Sequence, residues 1–400
     1  MICNFTWYNL PNQIKKLIKP FENQLSKEAK NITWYNLPSK LTNLYKELVL
    51  VSPSCGLNAK FIWFTLNKKV EALCELVNCI ESQINFDITS TNWGTLTTKE
   101  AWQAKFLADG ATTATITNFS LVNGRVKFYA TTNLSLLNLP NRNITTVNII
   151  SIASLTDLYL NNNQIVTFNP TIALPASLQV LGLYFNQIVT FNPTIALPIS
   201  LRNLVLDDNQ IVTFNPTIDL PASLQGLYLA NNQIVTFNPT IALPASLTDL
   251  YLNNNQIVTF NPTIALPASL QVLYLDNNQI VTFNPTVALP ISLKFLYLNS
   301  NQIVTFNPTI ALPASLQVLY LNFNQIVTFN PTISLPISLK NLWLSNNQMT
   351  TLGYTQSEPW ANAQPSFTTI CNVSLVGNIN SSATTNLRTI LLSKNCSVSS

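Results

Sequence analysis

The sequence predicts a repeat solenoid with a parallel β-sheet, because one 23-residue phrase occurs eight times in succession. The phrase begins at Leu155 as LTDLYLNNNQIVTFNPTIALPAS, and its copies start every 23 residues up to Leu316. A ninth copy starts at Leu339, reads LKNLWLSNNQMTTL and then diverges. A fixed period in this range is typical of a solenoid, in which each unit buries its apolar side only against its neighbours. Function is therefore expected on the surface of the stack.

Each copy reads as one short strand followed by an extended return segment. Leu158 and Leu160 flank the outward residue Tyr159, which is the alternation of a strand. Pro170 and Pro175 interrupt the return segment, and each removes a backbone donor that a helix would use. A phenylalanine recurs in every regular copy, and we expect these rings to stack as a spine.

The motif LxxLxLxxNxI, present as LTDLYLNNNQI and LQVLYLDNNQI, and the ending LPxSL resemble those of leucine-rich repeat proteins, in particular short bacterial and viral members. The resemblance covers residues 155–347. It implies a leucine-rich repeat solenoid with a curved parallel β-sheet on the concave face and a mostly irregular, extended convex side. It also implies that one asparagine per copy bonds backbone groups of adjacent turns, since a buried amide needs its hydrogen bonds. By match to the motif, this structural ladder comprises Asn163, Asn186, Asn209, Asn232, Asn255, Asn278, Asn301, Asn324 and Asn347.

The array is expected to continue beyond the regular copies in degraded form. Segments that start at Ile116 and Leu134 fit the strand template, and so do segments that start at Ile370 and Leu387. With these four the predicted sheet has about thirteen turns. The insertion at residues 353–366 lengthens one turn and is expected to loop out.

These segments set the predicted boundaries of the array. The repeats are assigned to residues 116–369, and residues 370–400 to degenerate terminal repeats or a C-terminal cap. Residues 89–115 are predicted to hold the N-terminal cap helix of the solenoid, because Thr97 and Glu100 form a capping-box pattern.

The first part of the chain has a different character, and the whole N-terminal region is expected to be smaller and mainly helical. Residues 1–65 are predicted to be an anchoring region that contains the segment TWYNLP twice. Residues 66–88 read as an amphipathic helix with a heptad seam. The seam comprises Leu66, Val70, Leu73, Val77, Ile80 and Ile84. Residues 66–84 therefore form either a short coiled coil, which would make the chain a dimer or trimer, or a helix of an intramolecular core.

Composition excludes several classes of function. The chain has no histidine, no recognisable catalytic motif and no metal-ligand spacing, so we expect no enzyme activity, no cofactor and no metal site. Residues 155–347 contain six acidic and only three basic side chains, and this acidic excess argues against nucleic acid as a partner. The sequence shows no signal peptide and no apolar run that could span a membrane. The protein is therefore expected on a virion or in the cytoplasm, with its six cysteines reduced.

The copies differ in an ordered way, and these differences indicate a ligand-binding face. The segment IVTFNP is the same in all eight regular copies, whereas the second, third, fifth, seventh and eighth positions change. These positions flank buried leucines, so their side chains point outward. Tyrosine dominates the fifth position, and it gives a large contact area at low entropic cost. The candidate contacts are Tyr159, Phe185, Asp207, Asp208, Tyr228, Tyr251, Tyr274, Tyr297, Tyr320, Phe323 and Trp343.

Two interpretations of this face stay open at the level of sequence. Tyrosine also suits a strand surface and can simply stack on its neighbours. If the face binds, the chain is a recognition or adhesion protein for a protein or glycan, with an architecture that resembles a viral tail fibre or another surface receptor-binding protein. The alternative is an intracellular leucine-rich repeat effector or scaffold that binds a host or self protein.

Overall fold

The computed structural model describes residues 86–149, 154–170, 173–364, 366–367, 371–378 and 385–399. The described chain forms two compact units. The first unit includes the described residues up to Asn138 together with those of Arg142–Leu155, and the second includes Leu139–Asn141 and the described residues of Thr156–Ser400.

Two expectations for the beginning of the chain fall largely outside the described residues. The anchoring region at 1–65 and the heptad seam at 66–84 are not among them. Of the helix expected over 66–88, only residues 86–88 are described, and they belong to a strand. The helix therefore does not extend to residue 88.

The first unit is built on a four-stranded antiparallel sheet. Its elements are β1 (Phe86–Ser90), α1 (Lys99–Ala108), β2 (Ala114–Val122), β3 (Arg125–Thr132), β4 (Leu136–Asn138) and β5 (Ile144–Ile149). The order in the sheet is β2-β3-β1-β5. Of the N-terminal region expected to be mainly helical, the described residues 86–115 contain the five-residue strand β1, the ten-residue helix α1 and the start of β2.

The hairpin of β2 and β3 corrects the expectation that the repeats begin at Ile116. Ile116 lies in β2 and pairs with Ala130 of the antiparallel strand β3. The reason is the turn at Asn123 and Gly124, whose φ angles of 50° and 76° are those of a type I′ turn. Such a turn sends the chain directly back, so this segment cannot form a turn of a parallel solenoid. The segment that starts at Leu134 contains the three-residue strand β4.

The expected cap helix is present within residues 89–115 as α1, but its N-cap is one residue later than expected. Thr98 is the N-cap, and its hydroxyl accepts a hydrogen bond from the Ala101 amide at 3.2 Å. Thr97 is therefore not the capping residue. Trp102 and Phe106 are fully buried, and the Trp102 indole donates to the Leu96 carbonyl at 3.1 Å. These two aromatic side chains anchor the helix in the first unit.

The second unit is a solenoid that contributes eleven strands to one sheet, and their parallel pairing confirms the predicted fold class. Its elements in chain order are β6 (Asp157–Tyr159), β7 (Val180–Gly182), β8 (Asn203–Val205), β9 (Gly226–Tyr228), β10 (Asp249–Tyr251), β11 (Val272–Tyr274), β12 (Phe295–Tyr297), β13 (Val318–Tyr320), β14 (Asn341–Trp343), α2 (Thr351–Ala363), β15 (Cys371–Ser374), α3 (Thr385–Ser393) and β16 (Cys396–Ser399). From β6 to β14 each residue pairs with the residue 23 positions later. Equivalent positions of successive repeats therefore form straight rows across the sheet.

The core of the second unit lies behind the strands. The central residue of every strand from β6 to β14 is a buried leucine. The phenylalanines from Phe168 to Phe329 form the expected spine, with ring centroids 5.9–6.5 Å apart and planes within 7–15° of parallel. The spine ends on the edge of Trp360, whose ring centroid is 4.7 Å from that of Phe329. The described return segments between β6 and β14 contain no helix, because each carries two prolines.

A ladder of asparagine amides joins each repeat to the one before it. Asn255 is representative: its Nδ2 donates to the carbonyls of Leu229 and Leu252 at 2.9 and 3.1 Å. Its Oδ1 accepts from the Ile234 amide at 2.9 Å. The Nδ2 bonds recur at each of the nine residues of the motif, and Asn378 extends them to the turn after β15. Each side chain therefore satisfies backbone groups of two repeats at once.

The C-terminal end of the array differs from the expectation in two places. Residues 353–366 do not loop out, because Thr351–Ala363 forms helix α2, which Thr350 caps by accepting from the Gly353 amide. A glycine is needed at this position, since a Cβ there would lie 2.1 Å from the Val327 carbonyl oxygen. Trp360 and Ala361 are buried, so α2 covers the core where the irregular return segment stops.

The second difference concerns the last expected strand. The segment that starts at Ile370 contains strand β15, as expected, but the segment that starts at Leu387 is helix α3. Leu387, Ile390 and Leu391 are buried at the three- and four-residue spacing of a helix face. A short apolar run of this kind fits both the strand pattern of the repeat and one face of a helix. The last strand of the sheet is β16, which follows α3. The sheet therefore has twelve strands, β4 and β6 to β16, in place of the thirteen expected, and the strand expected in the segment that starts at Leu134 is confirmed.

The ladder predicts a strong and local sensitivity to substitution. Asn255→Ala leaves the buried Ile234 amide without a partner and removes one of the two asparagine donors at each of the Leu229 and Leu252 carbonyls. We expect the free energy of unfolding to fall by about 3 kcal/mol. The matched control is Asn253→Ala, because Ala230 already occupies the same position in the preceding repeat. Its expected loss is below about 1 kcal/mol. Denaturant unfolding of both variants measures the difference, and equal losses would contradict a structural role for the ladder.

Candidate ligand-binding face

The structure brings six of the eleven candidate residues into one continuous row, which we call the aromatic row. It comprises Tyr228, Tyr251, Tyr274, Tyr297, Tyr320 and Trp343, each the last residue of its strand. Ring centroids of neighbours are 4.0–4.9 Å apart. The strand register places them together, because every member is 23 residues from the next.

The rings of the aromatic row contact one another mostly edge to face. Tyr297 stands at 86° to Tyr274 and at 87° to Tyr320, whereas Tyr320 and Trp343 are stacked within 6° of parallel. Mutual stacking thus fixes the orientation of each ring. The row is therefore a preorganised surface rather than a set of independent side chains.

Four hydroxyl groups of the aromatic row, those of Tyr228, Tyr251, Tyr297 and Tyr320, have raised pKa values and stay protonated near neutral pH. Burial is the first cause that raises the pKa of Tyr251 and Tyr297, and the charge of neighbouring Tyr274 and hydrogen bonds to its hydroxyl add to the rise. Burial also raises the pKa of Tyr228 and Tyr320. These hydroxyls can therefore donate and accept hydrogen bonds, but they do not supply phenolate charge.

Tyr159 is separated from the aromatic row. The two intervening strands end in Gly182 and Val205, which carry no ring. The Tyr159 ring lies directly over Gly182, where a Cβ would be 2.5 Å from its Cδ1 atom. A second glycine, Gly226, makes the same kind of space for the ring of Tyr228. The face thus has an isolated tyrosine at its N-terminal end and a continuous row further along.

The eighth position of the repeat has a backbone conformation that the sequence did not reveal. Every residue there has φ between 52° and 56°, which is the left-handed region. Asparagine tolerates this region and occupies the position in most repeats, at Asn162, Asn231, Asn254, Asn277 and Asn346. The predominance of asparagine was the signal that could have identified it.

Three candidate residues occupy this left-handed position. Phe185 and Phe323 have φ of 52° and 56°, and their side chains are 50% and 54% exposed. Asp208 has φ of 54°. A phenylalanine is a poor residue for this conformation, so its presence costs stability without gaining full burial. Both rings project from the same side of the repeat, one row beyond the seventh position.

Apart from Asp207, the polar residues of the seventh position were not among the candidate contacts predicted from the sequence. Asn253, Asp276, Asn299 and Asn322 line a groove of about 350 Å³ beside four members of the aromatic row. The other lining residues are Tyr274, Tyr297, Tyr320 and Trp343. The variability of the seventh position between copies was visible in the sequence, but the burial of these side chains was not.

Two of the groove amides have an unused acceptor. The Oδ1 atoms of Asn253 and Asn322 are buried and accept no hydrogen bond in the structure, and Asn322 as a whole is 8% exposed. Burial raises the pKa of Asp276, which also accepts from the Asn277 side chain at 2.9 Å. The residues that line the groove therefore include two unsatisfied acceptors, which a ligand donor satisfies once the asparagine side chain turns toward it.

Asp207 occupies the seventh position of another repeat, and its carboxyl is largely buried. Its Oδ1 accepts from the Ala230 amide at 2.7 Å. Burial raises the pKa of Asp207 to about 6, the Ala230 bond opposes this rise, and the neighbouring charge of Asp208 adds to it. Asp207 and Asp208 are consecutive along the chain, and their carboxyls bond two consecutive residues of the next repeat, Ala230 and Asn231. No cluster of three or more possible metal ligands occurs among the residues that the structure describes.

The raised pKa of Asp207 predicts a pH-dependent stability. The folded state binds the proton more tightly than the unfolded state, so this stabilisation is complete below about pH 4 and is lost as the pH rises through about 6. Asp207→Asn keeps an acceptor for Ala230 and removes the charge. We expect it to stabilise the protein by about 2 kcal/mol at pH 8 and to have little effect at pH 4.

Thermal or denaturant unfolding at the two pH values measures this effect. Asp219→Asn is the control for net charge, because Asp219 is exposed in the adjacent return segment. Its effect should stay below about 0.5 kcal/mol at both values. A gain for Asp207→Asn that is the same at pH 4 and pH 8 would contradict the proposed burial of the charge.

Solved structures with a similar chain path come from bacteria and plants. YopM from Yersinia enterocolitica WA-314 is 22% identical, with 62% of this chain and 61% of YopM covered and a TM-score of 0.38. A leucine-rich repeat protein of Leptospira interrogans is 22% identical, with 62% and 84% covered and a TM-score of 0.28. The plant peptide hormone receptor RGFR1, solved in complex with RGF2, is 17% identical, with 62% and 48% covered and a TM-score of 0.30. This chain thus spans less than two thirds of YopM, and no curated protein sequence matches it.

The sequence profile of the leucine rich repeat family matches residues 245–303. These residues include β10, β11 and β12, whose neighbours repeat the same pattern at the same spacing of 23 residues. No helix among the described residues has the length and apolarity that a membrane span requires. The repeating unit, its asparagine ladder and the family match agree that the second unit is a leucine-rich repeat solenoid.

Proposed function

We propose that the protein is a non-enzymatic recognition protein that binds a protein or a glycan through the outward face of its strands. The observation that carries this proposal is the pair of exposed phenylalanines, Phe185 and Phe323, at a left-handed position beside the ordered aromatic row. Leucine-rich repeat folds commonly serve recognition, which agrees with this assignment.

The cost of the two phenylalanines favours a function over a purely structural role. A left-handed conformation costs an ordinary side chain about 1–2 kcal/mol, and asparagine is available at the same position in five other repeats. About half of each ring remains exposed, so burial within the chain does not fully offset the cost. Strained residues of this kind cluster at ligand contacts.

The unchanged parts of the repeat also support a binding role for the strand face. The segment IVTFNP is unchanged in all eight regular copies, while the face changes at a few positions. The tyrosines are half-buried and held by their neighbours, so little side-chain entropy is lost when a ligand covers them. A rigid aromatic surface with hydroxyl tips suits recognition.

Two biological settings remain as forms of this proposal. In the first the protein acts at a surface, as an adhesin or a viral tail-fibre component, and residues 66–84 join copies as a dimer or trimer. In the second it is an intracellular effector or scaffold that acts as a monomer. The mass of the purified full-length chain in solution separates these two forms.

The aromatic row gives the direct test of the proposed face. We expect the triple substitution of Tyr251, Tyr274 and Tyr297 by valine to weaken binding of the partner at least about tenfold, because large aromatic contacts are lost. Valine is the suitable replacement, since Val205 occupies the same position in β8. Substitution of three exposed valines of the return segments, Val235, Val258 and Val281, by threonine is the control. Unchanged affinity of a folded triple valine variant would refute the face.

The left-handed backbone conformation at Phe323 predicts that one substitution will raise stability and weaken binding. Phe323→Asn should raise the free energy of unfolding by about 1 kcal/mol, because asparagine tolerates this backbone conformation. Phe323→Ala removes the same ring but keeps a Cβ in the strained position, so it should bring no such gain. Both variants should bind the partner more weakly. A variant that gains stability and keeps full affinity would show that the exposed ring has no part in recognition.

A further inference from the structure

The groove beside the aromatic row has a lining that defines the chemistry of its ligand. We propose that it binds a neutral oligosaccharide, laid across strands β10 to β14, and this inference rests on the proposed function of the strand face. The lining consists of three asparagines, one aspartate, three tyrosines and one tryptophan. A volume of about 350 Å³ lies at the small end of the range for ligand sites.

The unused acceptors require hydrogen-bond donors from the ligand. Asn322 is more than nine-tenths buried, and its Oδ1 accepts no hydrogen bond, although it lines the groove. Asn253 offers a second buried Oδ1 in the same condition. A buried acceptor without a partner costs free energy, and a ligand hydroxyl placed there would recover it.

The spacing of the polar groups suits a chain of repeating units. Asn253, Asp276, Asn299 and Asn322 follow β10, β11, β12 and β13, one for each strand. Neighbouring strands are about 4.8 Å apart, so the groove repeats its acceptors at roughly the length of one sugar ring. A linear oligosaccharide can therefore meet equivalent groups on successive strands.

The tryptophan at the end of the row provides a surface for stacking. One face of the Trp343 indole lies on Tyr320, with centroids 4.0 Å apart. The strand on its other side presents Ser374 at the paired position, and the indole is 38% exposed. The apolar face of a pyranose ring fits against an exposed indole in the way that apolar groups pack on aromatic rings.

The same lining disfavours other classes of ligand. The groove has no lysine or arginine, so an anionic ligand would find no cation and would face Asp276. It has no aliphatic side chain, so an apolar peptide segment would cover the amide groups without bonding them. A cationic peptide would find one carboxylate among eight lining residues, whereas the hydroxyls of a sugar can bond every polar group present.

Isothermal titration calorimetry of the full chain with neutral oligosaccharides tests this proposal. The probes are hexasaccharides of glucose, mannose, galactose, xylose and N-acetylglucosamine, with an arginine-rich peptide as the competing class. We expect at least one saccharide to bind at micromolar to millimolar concentration. Asn322→Ala should weaken that binding about tenfold, because one buried hydrogen bond is lost.

The chain contains a matched control for this variant. Asn161 occupies the same position in the first repeat, is equally buried at 8%, and also has an Oδ1 without a partner, but it does not line the groove. Asn161→Ala should therefore leave saccharide binding unchanged. Both variants should fold, because Ala230 occupies this position in the fourth repeat, and circular dichroism checks this.

Three results would overturn the proposal: no saccharide of the panel binds, the arginine-rich peptide binds instead in a manner sensitive to Asn322→Ala, or both alanine variants weaken saccharide binding equally. The wider proposal fails separately. If no saccharide binds but the triple valine variant loses a protein partner, recognition by the strand face stands and the oligosaccharide inference falls.

Discussion

The hydrogen bonds of the asparagine ladder are the constraint on which the rest of the second unit depends. Each side-chain amide donates to a carbonyl of its own repeat and to one of the preceding repeat, as Asn255 does with Leu252 and Leu229. Its oxygen accepts a hydrogen bond from a backbone amide of the preceding repeat, which for Asn255 is that of Ile234. The bonds fix the distance and register between successive strands. Because the register is fixed, equivalent outward residues align in rows, and the aromatic row and the groove follow from this alignment.

The frame also explains how the face can depart from favourable local structure. Stability in a solenoid is distributed over repeat and neighbour interactions, so a local cost in one repeat is tolerated by the others. Phe323 in a left-handed conformation and Asp207 with a raised pKa are such costs. Asparagine occupies both of their positions in other repeats, so a less costly solution was available in the same chain. The strand face that we propose for recognition therefore contains residues that cost local stability.

The strands predicted from the sequence were wrong at the ends of the repeat array, where a short apolar pattern fits more than one kind of element. Ile116 and Leu387 both begin segments with leucine-like spacing, yet one lies in an antiparallel hairpin and the other in a helix. The Asn-Gly turn makes the segment at Ile116 part of a hairpin. The segment at Leu387 is a helix because its buried residues are three and four positions apart. Inside the array the same spacing recurs 23 residues away, and this repetition removes the ambiguity.

The sequence by itself determined the solenoid, its parallel register and the positions of the asparagine ladder and of most of the tyrosine row, because these follow from one period that every copy shares. Only the tertiary structure decided which polar side chains are buried and left unpaired. The Oδ1 atom of Asn322 lacks a partner while that of Asn324, two residues later, accepts from the Ile303 amide. The tertiary structure also decided the left-handed backbone at the eighth position and the groove beside the aromatic row. Both depend on how side chains of neighbouring repeats pack in three dimensions.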